Sequence, residues 1–255
     1  MKNLGIITFF FLIQSVFAYA FITGGSLHPI DDTNVSIYNK RLVLTINESH
    51  VEVEAYFELY NHESLAIEPL LGFEFFAPWS VPSGISIFNL LENARHFILT
   101  VNNTPRIFEH QTRVEGEEAG TITIHTLAYR TRLNPGRNLV FYRIQLPLFG
   151  NRLTFRLDFS FNLQENQRWK NSEINNFEVV INTEFNTVIT FENWSSQNLP
   201  HFYARGQSRR VDDDYILTPE GYLTTNIQNF IPDGNIFSQY EVFLLILVIL
   251  TSSID

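Results

Sequence analysis

The sequence contains no cysteine among its 255 residues. Disulfide bonds and thiol chemistry are therefore excluded, and so is a lipid anchor attached to cysteine. The folded chain must be held together by a packed core. A chain of this length can bury such a core as one large all-β domain or as two smaller ones.

Basic residues are scarce relative to acidic ones. The chain has 17 Lys and Arg against 27 Asp and Glu, which gives a formal net charge of −10. Nucleic-acid-binding proteins need a basic surface, so we expect no nucleic acid partner. Only one methionine is present, against 24 Phe and 10 Tyr. This aromatic enrichment favours strands over helices.

The N-terminus has the pattern of a secretory signal. Lys2 precedes an apolar run over 4–17, and Ala18 and Ala20 place small residues where a signal peptidase reads them. The pattern predicts a signal peptide over 1–20 that is cleaved after Ala20, with an uncleaved membrane anchor as the alternative. We therefore expect an exported protein, periplasmic or extracellular, and the absence of cysteine favours a bacterial host.

Apolar and polar residues alternate strictly in the stretch 51–60, VEVEAYFELY. A period of two predicts a strand with one buried face, and a similar run at 42–46 predicts a hairpin partner. The runs 139–148 and 153–163 predict a second hairpin across 149–151. We interpret the polar side of 51–60 as solvated rather than catalytic; it carries Glu52, Glu54, Tyr56, Glu58 and Tyr60.

These patterns predict an all-β fold: an antiparallel β-sandwich of two packed sheets or two successive sandwich-like subdomains, with few or no long helices. The main domain is expected over 21–235, with a subdivision near 131–137 as an alternative. Residues 236–255 are expected to form an apolar C-terminal strand or a tail. The apolar run 242–250 is shorter than the ~20 residues of a spanning helix, so membrane contact is expected only if this tail inserts.

Several short motifs, taken in order, are similar to those of an uncharacterised family of exported bacterial proteins, some of which carry a C-terminal Tyr-Ala-Arg-His-Gly module. The resemblance implies export and a β-rich fold, and it implies no established activity. This chain lacks the appended module. The motifs are GGSL at 24–27 with PI at 29–30, LGF at 71–73, NPGRN at 134–138, RWKN at 168–171 with INNF at 174–177, and GYL at 221–223 with NFIP at 229–232.

Motifs for catalysis or cofactor binding were not found. None of the seven histidines has the spacing of a zinc motif, and the chain has no nucleophile elbow and no phosphate-binding loop. We therefore expect no cofactor and no catalytic residues. Asp212, Asp213 and Asp214 form a weak candidate for a calcium site. Because adjacent residues of a strand point to opposite faces, a salt-bridged turn is favoured there.

The one candidate binding site in the sequence is Trp169 with Arg168 and Lys170. An exposed aromatic side chain on a loop of a β-sandwich can stack on a sugar or on a partner. The alternative is that the tryptophan fills the core at the end of a sheet.

Together these observations favour an exported, non-catalytic β-sandwich that has a binding or structural role in the bacterial envelope. Its partner would be an unknown protein or envelope component. Two alternatives stay open: an outer-membrane β-barrel, and a hydrolase whose site is assembled from distant strands.

Overall fold

The computed structural model of the chain consists of strands and the turns that join them. It describes residues 23–31, 33–47, 50–77, 97–115, 122–147, 149–151, 156–162, 169–170, 174–191, 201–212, 214–230 and 243–250. Within these ranges no residue is helical, which confirms the predicted all-β class. The predicted signal peptide lies outside the described residues, as does Arg168.

The strands fall into three sheets. The central sheet has eight strands in the order β14-β17-β12-β2-β3-β9-β5-β6. A six-stranded sheet has the order β10-β11-β18-β13-β16-β15, and a four-stranded sheet has the order β1-β4-β8-β7. The strands are β1 Thr23–Pro29, β2 Val35–Ile46, β3 His50–Asn61, β4 Leu70–Ala77, β5 Ile98–Val101, β6 Thr104–Pro105, β7 Glu109–Glu115, β8 Ile122–Arg130, β9 Gly136–Pro147, β10 Phe149–Asn151, β11 Arg156–Asn162, β12 Ile174–Thr183, β13 Thr187–Phe191, β14 Tyr203–Gly206, β15 Arg209–Val211, β16 Asp214–Leu217, β17 Gly221–Phe230 and β18 Phe243–Leu250.

The first predicted hairpin is present at the middle of the central sheet. β2 and β3 pair antiparallel from Val35↔Asn61 to Ile46↔Val51. Along β3, inward residues are buried and outward residues are partly or fully exposed, in the alternation that the sequence predicts. The register shifts between Ile37 and Asn39, so Tyr38 is the extra residue of a bulge and is exposed.

One pairing in the central sheet is parallel. β12 lies beside β2 from Asn176↔Asn39 to Thr183↔Ile46, and its other side pairs antiparallel with β17. The sheet is therefore mixed rather than purely antiparallel. Strands from both sides of residues 131–137 belong to it, because β9 and β12 pair with the opening hairpin.

The prediction of a second hairpin between 139–148 and 153–163 is wrong. β9 pairs with β3 and with β5 in the central sheet. β11 pairs with β10 and with β18 in the six-stranded sheet. Alternation predicts that a stretch is a strand but does not predict its partner. The expected turn at 149–151 is itself the strand β10.

A single core joins the three sheets. Phe73 of β4 packs edge-on against Tyr142 of β9, with ring centroids 4.5 Å apart. Ile189 and Leu217 extend the same buried cluster into the six-stranded sheet. The inner face of the central sheet is thus covered by the other two sheets, which confirms a sandwich.

The apolar C-terminal run forms a strand. β18 pairs with β11 on one side and with β13 on the other. No helix long and apolar enough to cross a membrane occurs among the described residues.

Candidate functional site

Trp169 belongs to the core. Its side chain is 4% exposed, and its indole N–H donates a hydrogen bond to the carbonyl of Leu27 at 3.1 Å. A ring held in this way has no free face for a ligand. Its position fits the alternative interpretation, in which the tryptophan fills the core, while Lys170 beside it is exposed.

The aspartates at 212–214 do not form a metal cluster within the described residues. No group of three or more His, Asp or Glu side chains converges in that part of the chain. Asp212 has a positive φ of 55°, and its carbonyl accepts a hydrogen bond from Arg210 Nε at 2.8 Å. Asp213 lies outside the described residues. The described residues here form a turn closed by an arginine.

A serine–histidine pair is the arrangement that best fits the hydrolase alternative. Ser36 Oγ lies 2.8 Å from His62 Nε2. Ser36 is 3% exposed, however, and the Tyr60 ring lies 4.8 Å from the imidazole. A nucleophile must reach its substrate, so this geometry does not favour hydrolysis. The imidazole of His62 instead provides a hydrogen-bond partner for the buried hydroxyl of Ser36.

The outward side of the central sheet, hereafter the outer face, brings together side chains that are distant in the chain. It comprises Glu52, Glu54, Tyr56, Glu58 and Tyr60 of β3 with the outward residues of the neighbouring strands. The pairing register sets these residues in rows across four strands. One row is Glu178, Arg41, Tyr56 and Phe141, and the next is Asn176, Asn39, Glu58 and Leu139.

Charged groups on the outer face are held in pairs. Arg41 Nε lies 3.0 Å from Glu178 Oε2. Arg137 Nε lies 2.9 Å from Glu58 Oε1, while Asn39 donates a hydrogen bond to Glu58 Oε2 at 2.7 Å. Each of these carboxylates is therefore neutralised by a neighbouring strand before any ligand arrives.

An aromatic pair lies at the centre of the outer face. The rings of Tyr56 and Phe141 are 4.8 Å apart and tilted by 40°. The Tyr56 hydroxyl donates a hydrogen bond to Glu54 Oε2 at 3.0 Å. Partial burial raises the pKa of Tyr56 above its ordinary 10.0, and the Glu54 carboxylate raises it further. Arg41 and Arg143 act on it in the opposite direction.

Alkaline titration of tyrosinate absorbance is expected to show this raised pKa. Subtracting the curve of Tyr56→Phe from that of the wild type should leave one group with a midpoint above pH 10. Because the folded state holds this proton more tightly, its contribution to stability is present below pH 10 and is lost as pH rises through the folded pKa. Glu54→Gln should move the midpoint down. A difference curve centred at or below pH 10 would contradict the hydrogen bond between Tyr56 and Glu54.

The two rows border an open cleft of about 580 Å³, hereafter the face cleft. This volume is within the range of small-molecule sites. The lining combines an aromatic pair, amides and neutralised charges. It consists of Asn39, Lys40, Arg41, Tyr56, Phe57, Glu58, Thr100, Asn103, Leu139, Val140, Phe141, Asn176 and Glu178.

A buried lysine lies beneath the face cleft. Lys40 is 1% exposed and points into the core, where its Nζ is 5.3 Å from the centre of the Phe57 ring and 5.1 Å from that of Phe177. Cations are attracted to aromatic faces at such distances. These contacts join β2 to both of its neighbouring strands beneath the cleft.

The sequence assigned no function to these residues. Alternation identified Tyr56 and Glu58 as outward-facing. Asn39, Asn176 and Phe141 join them only through the pairing of β12, β2, β3 and β9. Alternation placed three glutamates and two tyrosines on one face of the strand, and the sequence carried no signal for the partners that join them.

Comparison with known proteins finds similarity in fold alone. Neither the protein-family models nor the curated proteins gave a match. Among solved structures, the chain is similar to a crystal structure from Legionella pneumophila described as a "putative nutrient binding protein". The TM-score is 0.60 at 11% identity, over 91% of this chain and 71% of that one. An M1 zinc metallopeptidase from Deinococcus radiodurans aligns with a TM-score of only 0.28 at 14% identity, over 84% of this chain and 42% of that one, and carries no argument.

Proposed function

We propose that the chain is a non-catalytic binding protein of the bacterial envelope, exported through residues 1–20, and that it holds its ligand in the face cleft. The observation that supports this most is the pairing of the carboxylates that border the cleft. A general acid or base needs a carboxylate that is free to exchange a proton with substrate. Glu58 and Glu178 are each held by an arginine instead.

The structure of the cleft is a second observation that supports binding. Its walls are strands of one sheet, and rigid elements position ligand-binding groups more accurately than loops do. The cleft is open and presents ring faces and amides together, which suits a polar ligand with some apolar surface. The fold shared with a protein described as nutrient binding is consistent with such a role.

A thermal-shift screen against nutrients and cell-envelope fragments tests the proposal. A ligand at 100 times its Kd stabilises the folded state by about 2.7 kcal/mol. For a chain of this size that corresponds to a rise in Tm of about 5–10 °C. The double variant Arg41→Ala/Glu178→Ala should lose the shift. It removes both partners of an exposed ion pair, so its own stability should change by no more than about 1 kcal/mol.

A matched control is available elsewhere on the surface. Arg130 and Asp31 form an exposed ion pair with a 3.9 Å separation, away from the face cleft. The double variant Arg130→Ala/Asp31→Ala should keep the ligand-induced shift. Equal loss of the shift in both double variants, or chemical conversion of the ligand on incubation with the protein, would contradict the proposal.

A further inference from the structure

The exposed tyrosines of the described chain share one side of the molecule. Pairing registers carry the outer face from β3 through β2 and β12 to β17 and β14, and Tyr38 joins it through its contact with Arg137, 5.3 Å from the ring centre. Exposed apolar residues elsewhere are aliphatic, such as Leu65 and Ile107. The exposed tyrosines are Tyr38, Tyr56, Tyr60, Tyr203 and Tyr222.

These tyrosines are spread out rather than clustered. Tyr56 lies on β3 and Tyr222 lies on β17, with β2 and β12 between them. Three strand spacings of about 4.8 Å separate the two strands by about 14 Å. An occupant that reaches from Tyr56 to β17 must therefore be an extended chain, longer than a single sugar or amino acid.

Planar amides run from β2 to β17 beside the Tyr56 row. The pairing registers place Asn39, Asn176 and Gln228 in one row, on the side of Tyr56 away from Tyr222. Gln228 Nε2 donates hydrogen bonds to Asn176 Oδ1 at 2.8 Å and to Asn226 Oδ1 at 2.7 Å. Asn39 is fixed by its bond to Glu58. Each amide carries two donors and an acceptor with two lone pairs, so each keeps capacity for a ligand after these bonds are made. Their mutual bonds hold them in place, which lowers the entropy cost of binding.

The carboxylates of the outer face each have an ion-pair or hydrogen-bond partner. Besides the two ion pairs, Glu54 accepts from the Tyr56 hydroxyl, and Glu52 accepts from Gln145 at 3.4 Å. All four described carboxylates of β3 and β12 on this face thus have a partner. A cationic ligand would have to displace one of these partners, and an anionic ligand would lie against four carboxylates. A neutral hydroxylated ligand adds hydrogen bonds without either cost.

We infer that the occupant is a neutral oligosaccharide chain laid across the strands from Tyr56 and Phe141 along the amides of Asn39, Asn176 and Gln228; this inference rests on the proposed binding function. The C–H faces of sugar rings stack on aromatic rings, and their hydroxyls both donate to and accept from amides and carboxylates. A protein partner would be expected to bury a more apolar centre than this alternation of amides and ion pairs.

Calorimetric titration of the full chain tests the inference with cellohexaose, maltohexaose, laminarihexaose and chitohexaose, and with the disaccharide of each series. We expect at least one hexasaccharide to bind and its disaccharide to bind at least tenfold more weakly. Tyr56→Ala should weaken binding of the hexasaccharide roughly tenfold, and so should Gln228→Ala, which removes the amide at the β17 end of the row. Ile107→Ala, on the exposed side chain of a residue off the face, should leave the affinity unchanged. Each variant is first compared with the wild type by Tm and circular dichroism.

The outcomes separate this inference from the proposed function. Equal affinity for hexasaccharide and disaccharide would contradict the inference that the ligand is an extended chain. A second outcome is that no hexasaccharide binds, while hexa-alanine or a non-sugar from the thermal screen does. That result would contradict a carbohydrate ligand but would still support the proposed binding function. If neither the sugars nor the screen compounds bind, both the inference and the proposed function fail.

Discussion

Phe73→Ala is expected to destabilise the chain by about 3–5 kcal/mol, the usual cost of truncating a fully buried phenylalanine. Phe73 is fully buried, and its ring packs against Tyr142 of the central sheet and, at 5.8 Å, against Tyr129 of its own sheet. Removing the ring leaves a cavity between two sheets. Because single domains are stable by only 5–15 kcal/mol, chemical denaturation should show a large loss.

Tyr129→Phe is the control for this prediction. Tyr129 is 2% exposed, burial raises the pKa of its hydroxyl, and that hydroxyl has no hydrogen-bond partner among the described residues. Deleting an unpaired buried hydroxyl keeps the ring and is expected to be neutral or stabilising. A loss after Tyr129→Phe as large as that after Phe73→Ala would contradict the unpaired burial of the Tyr129 hydroxyl. A loss below about 1 kcal/mol after Phe73→Ala would contradict the packing of its ring between the two sheets.

Gly221→Ala is expected to destabilise the chain by about 3 kcal/mol, the upper end for a clash in a well-packed site. Gly221 faces Gly206 in the β14–β17 pair. A Cβ on Gly221 would overlap the backbone N and the Oγ of Ser208, and it would lie 2.7 Å from the carbonyl oxygen of Arg205. The turn after β14 could not pass over β17 without moving. Urea denaturation of the variant measures the effect.

Gly136→Ala is the matched comparison. Gly136 has a φ of +80°, but a Cβ there would meet no atom within 4 Å. Its cost is the backbone strain alone, about 1–2 kcal/mol. Gly221→Ala should therefore be the more damaging of the two. The reverse order would mean that the close approach of β14 to β17 does not hold in solution.

The local part of the fold could be predicted from the sequence. The alternation within 51–60 predicts both the strand and its buried side, because a period of two is a property of consecutive residues. β3 shows that alternation throughout its length. The bulge at Tyr38 interrupts the same pattern in β2. For this reason the alternation predicts only 42–46 as the partner strand, whereas β2 extends over Val35–Ile46.

Long-range pairing could not be predicted in the same way. β9 and β11 both alternate, yet they belong to different sheets. The pattern of a strand does not indicate which strand pairs with it. Nor does it indicate whether β12 lies parallel or antiparallel to β2. The choice depends on how three sheets share one core, which involves residues from the whole chain.

The candidate site, like the fold, could be predicted only where it depends on consecutive residues. Tyr56 and Glu58 were identified on an outward face, but Arg41, Glu178 and Phe141 reach them only through register across four strands. Whether Trp169 is exposed or buried could not be predicted from the local pattern either. A tryptophan in a polar stretch can lie on the surface or fold inward, and here its indole N–H finds a buried carbonyl.

Hydroxyl-radical footprinting with mass spectrometry tests most directly whether the outer face is the binding surface. Tyr56 and Tyr222 are exposed and reactive, while Leu65 and Ile107 are exposed at positions off the face. With the compound that raises Tm most in the screen, we expect oxidation to fall at Tyr56 and Phe141 and to stay unchanged at Leu65 and Ile107. Protection at Leu65 or Ile107 with Tyr56 and Phe141 still fully oxidised would contradict the assignment of the site.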